Sequence, residues 1–148
     1  MKKIILSLVV VCLISFSNSA QEVWTGATST DWTVDSNWDD GSSPGNEVNG
    51  LTINSGSSNY PVITSGTVSV IGAISIASGA TLTIDGGYIK RVFDGSFANN
   101  GTVIIKNSGA VDIRESVTGT GTFQYVRNLA TSNWYVIASP VAGQDIDT

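Results

Sequence analysis

The chain has 148 residues, a length that suits one domain, and its 12 acidic and seven basic residues give a formal net charge of −5. An acidic surface of this kind repels nucleic acid and anionic lipid, so neither is expected as a partner. One cysteine and no histidine exclude a disulfide within the chain and the catalytic triads that need a histidine.

Residues 1–20 have the pattern of a signal peptide. Lys2 and Lys3 form a positive start, residues 4–16 are mostly apolar, and residues 17–20 supply small side chains for cleavage. The apolar stretch is too short to favour a transmembrane helix, so no membrane span is expected after cleavage. The remaining chain, from Gln21, carries 12 acidic and five basic residues (seven less Lys2 and Lys3), a net charge of −7. The pattern predicts an exported protein, extracellular or on the outer cell surface.

Residues 21–47 are rich in Trp and Asp and lack the alternation of apolar residues that follows them. Trp24, Trp32 and Trp38 lie in this segment. A solenoid exposes apolar surface at its first coil, and an atypical terminal segment must cover that surface. The rings are therefore expected to form an N-terminal cap. The alternative is a ligand site, in which the three ring faces stack on the sugar rings of a glycan.

No cofactor is expected, except that oxygen-bearing side chains in the same segment suggest calcium. The candidate ligands are Asp35, Asn37, Asp39, Asp40 and Glu47. The pattern Asp35-x-Asn37-x-Asp39 has the alternating spacing of a calcium loop, but the Gly and the Glu of that loop each come one residue late. The alternative is a solvated turn region in which these side chains cap backbone N–H groups.

Residues 48–126 contain a repeated phrase. Leu51–Ser57 returns as Ile74–Ala80 and again, one residue longer, as Val103–Ala110, so the second interval between copies is longer than the first. Alternating apolar residues predict half-buried strands of about five residues, separated by turns that contain glycine.

These repeats predict an all-β fold, an irregular right-handed parallel β-helix, with a β-sandwich as the alternative. A phrase that returns in register places like side chains above like, which a β-helix needs and a sandwich does not. The unequal spacing predicts loops of unequal length between the strands.

Residues 127–148 are interpreted as the start of a following segment. Asn133–Val141 contains one strand pattern that stops at Pro140, and a polar end without a terminating pattern follows it. The sequence is therefore expected to be truncated within this segment.

Two kinds of motif follow one another along the sequence. The first is Trp24-Thr25-Gly26, Asp31-Trp32, Asn37-Trp38 and Pro44-Gly45, and the second is the phrase in Leu51–Gly56 and Ile74–Ile84. This order resembles the start of large surface proteins that Gram-negative bacteria export by the type IX secretion route. The resemblance implies a β-helical, adhesin-like surface protein and carries over no catalytic residue. Members usually continue to a sorting domain, which this sequence lacks, so the resemblance implies either a fragment or another export route.

The sequence predicts a structural or adhesive module without enzymatic activity. Charged residues such as Lys90, Arg91 and Asp112 fall within alternating strand patterns, which is typical of solvated faces. The alternatives are a carbohydrate-binding module and a fragment of a carbohydrate-active enzyme on a β-helix, the last by analogy of fold alone. The expected partner is a surface glycan or a neighbouring protein domain.

Overall fold

The computed structural model describes residues 21–91, 95–114 and 116–127. Within these ranges the protein is all-β, with strands numbered β1 to β13 and a single-turn 3-10 helix over Asp35–Asn37. No helix in this part of the chain is long and apolar enough to cross a membrane. The predicted signal peptide and residues 128–148 of the predicted final segment lie outside the described residues.

The strands follow one another in five passes around one axis, which make four full turns. The first pass holds β1 (Glu22–Trp24) and β2 (Glu47–Val48), and the second holds β3 (Leu51–Ile53), β4 (Val62–Ile63) and β5 (Thr67–Val70). The third holds β6 (Ile74–Ile76), β7 (Thr81–Asp85) and β8 (Tyr88–Arg91). The fourth holds β9 (Phe97–Asn99), β10 (Thr102–Lys106) and β11 (Ala110–Asp112), and the fifth holds β12 (Val117–Thr118) and β13 (Thr122–Val126).

Corresponding strands of successive passes pair side by side in three sheets. Sheet 1 has the order β1-β3-β6-β9-β12, sheet 2 the order β4-β7-β10-β13, and sheet 3 the order β2-β5-β8-β11. Every pairing between these strands is parallel. A sandwich built from hairpins would need antiparallel neighbours, so the structure confirms the parallel β-solenoid. Its right-handedness stays a prediction.

The inward side chains of each sheet form continuous apolar columns. In sheet 1, Leu51, Ile74 and Phe97 stack in register and are fully buried. Sheet 2 repeats the arrangement with Leu82 and Val103. Removing one such side chain from water stabilises the fold by about 1.5–3 kcal/mol. The residues between them alternate with them, as the sequence predicted: Thr52 and Ser75 stay partly exposed, whereas Thr83 of sheet 2 is buried.

The coils after the first have similar lengths. Leu51, Ile74, Phe97 and Val117 are successive register partners in sheet 1, and the first two steps between them are equal, whereas the third is slightly shorter. The first coil, from Glu22 to its partner Leu51, is longer than the others because it includes the Trp-rich segment.

The third copy of the repeated phrase lies on a different sheet from the first two. Leu51–Ile53 pairs with Ile74–Ile76 in sheet 1, as the repeat predicted, but Val103–Ile105 pairs with Leu82–Ile84 in sheet 2. The next partner of Ile74–Ile76 is instead Phe97–Asn99. The interval between the second and third copies is therefore not a coil length. The phrase recurs because two corners of the solenoid both need inward apolar residues followed by a tight turn.

A buried asparagine occupies the inner column of sheet 1. Asn99 is in register with Ile76 but is polar and almost fully buried. Its Oδ1 accepts a hydrogen bond from the N–H of Gly101 (3.0 Å), and its Nδ2 donates to the carbonyl oxygen of Thr122 (3.1 Å). Because both ends of the amide are hydrogen-bonded, its burial is tolerated. The side chain also ties the fourth pass of the chain to the fifth.

Gly72 lies at a corner where successive coils are in close backbone contact. A Cβ at this position would collide with the carbonyl oxygen of Asn49, whereas a Cβ on Gly50 would lie 3.3 Å from the carbonyl oxygen of Ala73. We therefore expect Gly72→Ala to lower the free energy of unfolding by about 1–3 kcal/mol, because the overpacked coils must move apart. Gly50→Ala, the matched control, is expected to cost much less. Urea denaturation measures both, and equal losses would contradict the close approach at Gly72.

Candidate functional site

Three tryptophan rings close the first coil of the solenoid. Trp24 and Trp32 are stacked with ring centroids 6.4 Å apart. Trp38 meets both rings edge-on, with its centroid 5.1 Å from that of Trp24 and 4.6 Å from that of Trp32. The exposed fractions of Trp24, Trp32 and Trp38 are 1%, 4% and 3%. Each aromatic pair of this kind stabilises the fold by about 0.5–1.5 kcal/mol beyond the area that it buries.

Backbone pairing and one indole N–H hold the ring cluster against the second coil. Trp24 ends β1 and forms an antiparallel bridge with Trp38. The Nε1 of Trp24 donates to the carbonyl oxygen of Asn59 (2.7 Å), and the Nδ2 of Asn59 donates to the carbonyl oxygen of Gly26 (2.9 Å). Gly26 has a φ of +61°, and a Cβ there would collide with the carbonyl oxygen of Asn59. This contact therefore requires glycine.

Asn37 holds the backbone of the cap segment together and is fully buried. Its Oδ1 accepts hydrogen bonds from the N–H groups of Thr28 (2.9 Å) and Ser29 (3.0 Å). Its Nδ2 donates to the Oγ of Ser29 (3.1 Å) and to the carbonyl oxygen of Asp31 (2.9 Å). These bonds use both lone pairs and both N–H groups of the amide. Asn37, one of the candidate calcium ligands, is therefore a structural residue whose Oδ1 is fully occupied.

The burial of the three rings confirms the predicted cap. Trp24 is in register with Ile53 of the inner column, so the cap continues the core of sheet 1. A sugar ring stacks on an aromatic face that is open to solvent, whereas Trp24, Trp32 and Trp38 are buried against one another. The three ring faces are therefore not open to solvent in this arrangement, and sugar stacking on these residues stays an untested prediction.

Three of the other candidate calcium ligands cap nearby backbone N–H groups. In each case a carboxylate Oδ1 accepts a hydrogen bond from a backbone N–H. Asp35 accepts from Ser43 (2.9 Å), Asp40 from Ser42 (2.9 Å) and Asp39 from Val23 (3.3 Å). Glu47 is exposed at the start of β2. Within the described ranges, no three His, Cys, Asp or Glu side chains are grouped as a metal ion would require. Calcium binding stays a prediction.

Glu22 lies beside Asp39 and Asp40, a grouping that the sequence reasoning missed. The N–H of Asp39 donates to the carbonyl oxygen of Val23 (3.1 Å), which brings residues 39–40 alongside β1. Partial burial raises the pKa of Glu22 above its usual value, and the charges of Asp40 and Asp39 raise this pKa further. The three carboxylates therefore repel one another at neutral pH. The sequence carries no signal for this grouping, because the bridge between Trp24 and Trp38 that forms it is defined only by the tertiary structure.

Asp31 is a second carboxyl group with a shifted pKa, in the opposite direction. Its Oδ1 accepts hydrogen bonds from the N–H (2.9 Å) and the hydroxyl (2.8 Å) of Thr33, and these bonds lower the pKa of Asp31. Asp31 also forms a parallel bridge with Val62 of β4. This turn of the cap segment therefore extends sheet 2 by one position.

The outward faces of sheets 1 and 2 carry short hydroxyl side chains in columns. Thr81, Thr102 and Thr122 stand in register along sheet 2, and the hydroxyls of Thr122 and Thr102 are 3.5 Å apart. Thr52 and Ser75 stand in register along sheet 1. Neighbouring strands are about 4.8 Å apart, so the sheet 2 column is a regular row of three hydroxyl groups, whereas the sheet 1 column is a pair followed by Ala98.

One outward row of sheet 3 carries the charged side chains Glu47, Lys90 and Asp112. Lys90 is exposed and stands in register between Ser69 and Asp112. Asp112 forms an ion pair with Arg114, with 3.1 Å between Oδ2 and Nε. An exposed pair of this kind contributes about 0–1 kcal/mol to stability, so these charges mainly solvate the face.

One family model matches most of the chain. It is described as a domain of unknown function (DUF8693), and it matches residues 23–148. The match covers the Trp-rich cap, the coils and the segment that follows them. No curated protein and no solved structure matches the chain.

Trp38 and Trp32 offer matched variants because only one of the two indole N–H groups is hydrogen-bonded within the described chain. The Nε1 of Trp38 donates to the buried carbonyl oxygen of Trp32 (3.0 Å), whereas the Nε1 of Trp32 is buried with no partner there. We expect Trp38→Phe to lower the free energy of unfolding by about 1–2 kcal/mol more than Trp32→Phe. Trp32→Ala should cost about 3–5 kcal/mol through the cavity that it leaves. Urea denaturation checks the order, and a larger loss for Trp32→Phe would contradict it.

Glu22→Gln is expected to raise the melting temperature at neutral pH, because it removes a partly buried carboxylate that Asp40 and Asp39 also repel. The raised pKa means that the folded state holds the Glu22 proton more tightly than the unfolded state does. Stability from this group is fully present below the usual pKa of 4.5 and is lost as the pH rises through the raised pKa. Thermal melts should therefore separate the two proteins at neutral pH and bring them together below the usual pKa.

Asp31→Asn is the control of opposite sign for this pH series. Stability from Asp31 is present above its usual pKa of 3.8 and is lost as the pH falls through the lowered pKa, so this variant should melt earlier at neutral pH. Equal melting temperatures for Glu22→Gln and the unchanged chain at neutral pH would contradict the repulsion.

The same thermal melts in millimolar calcium test the calcium prediction. A rise in melting temperature that Asp40→Asn removes supports a calcium site, and no rise excludes one.

Proposed function

We propose that this chain, which belongs to the family described as a domain of unknown function (DUF8693), is an exported structural module that displays its sheet faces at the outer cell surface and mediates adhesion there. The β-solenoid fold is compatible with a structural or surface module. The proposal includes no catalysis. The partner would be a surface glycan or a neighbouring protein domain.

The observation that carries the proposal is the contrast between buried and outward polar groups. The buried amides of Asn37 and Asn99 are used in hydrogen bonds within the chain. The outward hydroxyls of Thr81, Thr102 and Thr122 form a partly to fully exposed column along a sheet, in which the Thr122 hydroxyl donates to that of Thr102 (3.5 Å). Extended solenoid surfaces of this kind bind through many similar contacts along their length. This favours contact with a polymer or another surface over binding of one small substrate.

The proposal of export rests on the sequence. Residues 1–20 have the charge and hydropathy pattern of a signal peptide, and the chain after them has no cysteine and few charges. The resemblance of the Trp motifs and the repeats to surface proteins of the type IX secretion route supports the outer cell surface as the destination.

A carbohydrate-binding module is the second candidate, and the column of Thr81, Thr102 and Thr122 favours it. Hydroxyl groups on neighbouring strands, which are about 4.8 Å apart, can exchange hydrogen bonds with the hydroxyls of a sugar chain laid across the strands. This candidate differs from a purely structural module because it requires binding of soluble oligosaccharides. Calorimetric titration of the chain and of Thr102→Val with oligosaccharides distinguishes a carbohydrate-binding module from a structural one. A heat of binding that is lost in Thr102→Val supports glycan binding.

Cell fractionation tests the proposal of a surface module. An antibody to residues 21–148, applied to cytoplasmic, outer-membrane and medium fractions, should detect the protein in the last two, and protease added to intact cells should remove it. Leu8→Arg, in the apolar part of the signal pattern, should retain the protein inside the cell because translocation requires that apolar stretch. Ser7→Ala is the control and should be exported normally.

An adhesion assay completes this test. Cells that lack the protein should attach less well to a glycan-coated surface or to neighbouring cells, and cells that carry Ser7→Ala should attach normally. A cytoplasmic protein of unchanged size in cells that carry the unaltered chain would contradict the proposal.

A further inference from the structure

The end of the solenoid opposite the tryptophan cap leaves core-facing side chains uncovered by the described residues. Val117 continues the inner column of Phe97, and Tyr125 continues that of Ile105, where the earlier members are fully buried. Val117 and Tyr125 are nevertheless 45% and 41% exposed. The Arg127 guanidinium lies 5.6 Å from the centroid of the Tyr125 ring and covers only part of it. Side chains placed for burial thus remain in contact with solvent.

The backbone at this end is equally unpaired within the described ranges. β11, β12 and β13 are the last strands of their sheets, so their outer edges have no neighbour among the described residues. β13 is the longest of the three, over Thr122–Val126. A strand edge of this kind is a template for another strand, because its N–H and C=O groups lack partners. The surface formed by β11, β12 and β13 is named the open end below.

The register of sheet 1 indicates which part of the chain fits the open end. Its inner column runs through Ile74, Phe97 and Val117, and the step from Phe97 to Val117 is the shorter of the two. A further step of that shorter length leads from Val117 to Ile137, which lies in the apolar run Trp134-Tyr135-Val136-Ile137. The residues matched by the family model extend past this run, so the run belongs to the same family unit as the coils.

We propose that residues 136–138 dock on the outer edge of β12 as a further parallel strand, with Ile137 over Val117. The open end is then an interaction surface whose partner is this later segment of the same chain. Docking would satisfy the free edge of β12 and return Val117 to the core, as Phe97 is buried beneath it. The open end needs such a cover for the same reason that the first coil needs its tryptophan cap.

Disulfide trapping tests the register. Neighbouring strands are about 4.8 Å apart, which lies within the range of Cα separations that a disulfide spans. In the full chain with Cys12→Ser, the pair Val117→Cys and Ile137→Cys should oxidise to a monomer with an internal disulfide. The pair Val117→Cys and Val136→Cys is the matched control and should oxidise poorly, because alternate side chains of a strand point to opposite faces.

A second measurement covers the case in which the cysteine pair prevents folding. Ile137→Asp should lower the melting temperature of the full chain by about 5–10 °C, because it places a charge in the core column. Val136→Asp, whose side chain faces outward in this register, should change the melting temperature little. Disulfide-linked dimers would show that a second copy covers the open end and would overturn the proposal, as would equal effects of the two Asp substitutions.

Discussion

The stacking of inward side chains in one shared register is the constraint on which the rest of this structure depends. Side chains alternate along a strand, so a slip of one residue would turn Leu51, Ile74 and Phe97 outward together. Each coil must therefore return at a fixed height, which requires close backbone contact at the corners. Gly72 permits such a contact with Asn49. The identity of corner residues is thus set by backbone approach, as the identity of strand residues is set by burial.

The cap shows how polar residues position an apolar cluster. The three indole rings have no regular sheet beneath all of them, and their placement depends on hydrogen bonds of the buried Asn37 and the partly exposed Asn59. Asn37 gathers the backbone of residues 28–31, and Asn59 joins the cap to the second coil through Gly26 and Trp24. Loss of the Asn37 amide would leave the N–H groups of Thr28 and Ser29 and the carbonyl oxygen of Asp31 without this partner, which costs more than the loss of one bond.

The fold class could be predicted from the sequence, because apolar alternation and repeated phrases are direct consequences of parallel stacking. The sheet that each phrase occupies could not, because Val103–Ile105 and Ile74–Ile76 meet the same local demands at different corners. The tryptophan cap followed from the need to cover a terminal coil. The buried roles of Asn37 and Asn99 did not follow, because polar residues beside glycine are also typical of exposed turns. The proximity of Glu22 to Asp39 and Asp40 depends on a bridge that only the tertiary structure defines.

Because the inner coils are similar in length, the height of the solenoid can change without any change to its two ends. Each coil pairs only with the one before and the one after it. A tandem duplication of one coil, such as the stretch from Ile74 to the residue before its partner Phe97, would therefore insert one layer without disturbing either terminus. Every such event would lengthen the molecule by about 4.8 Å along its axis. Unequal recombination between repeats is thus a simple genetic route to relatives that differ in length along the solenoid axis and keep the same cap.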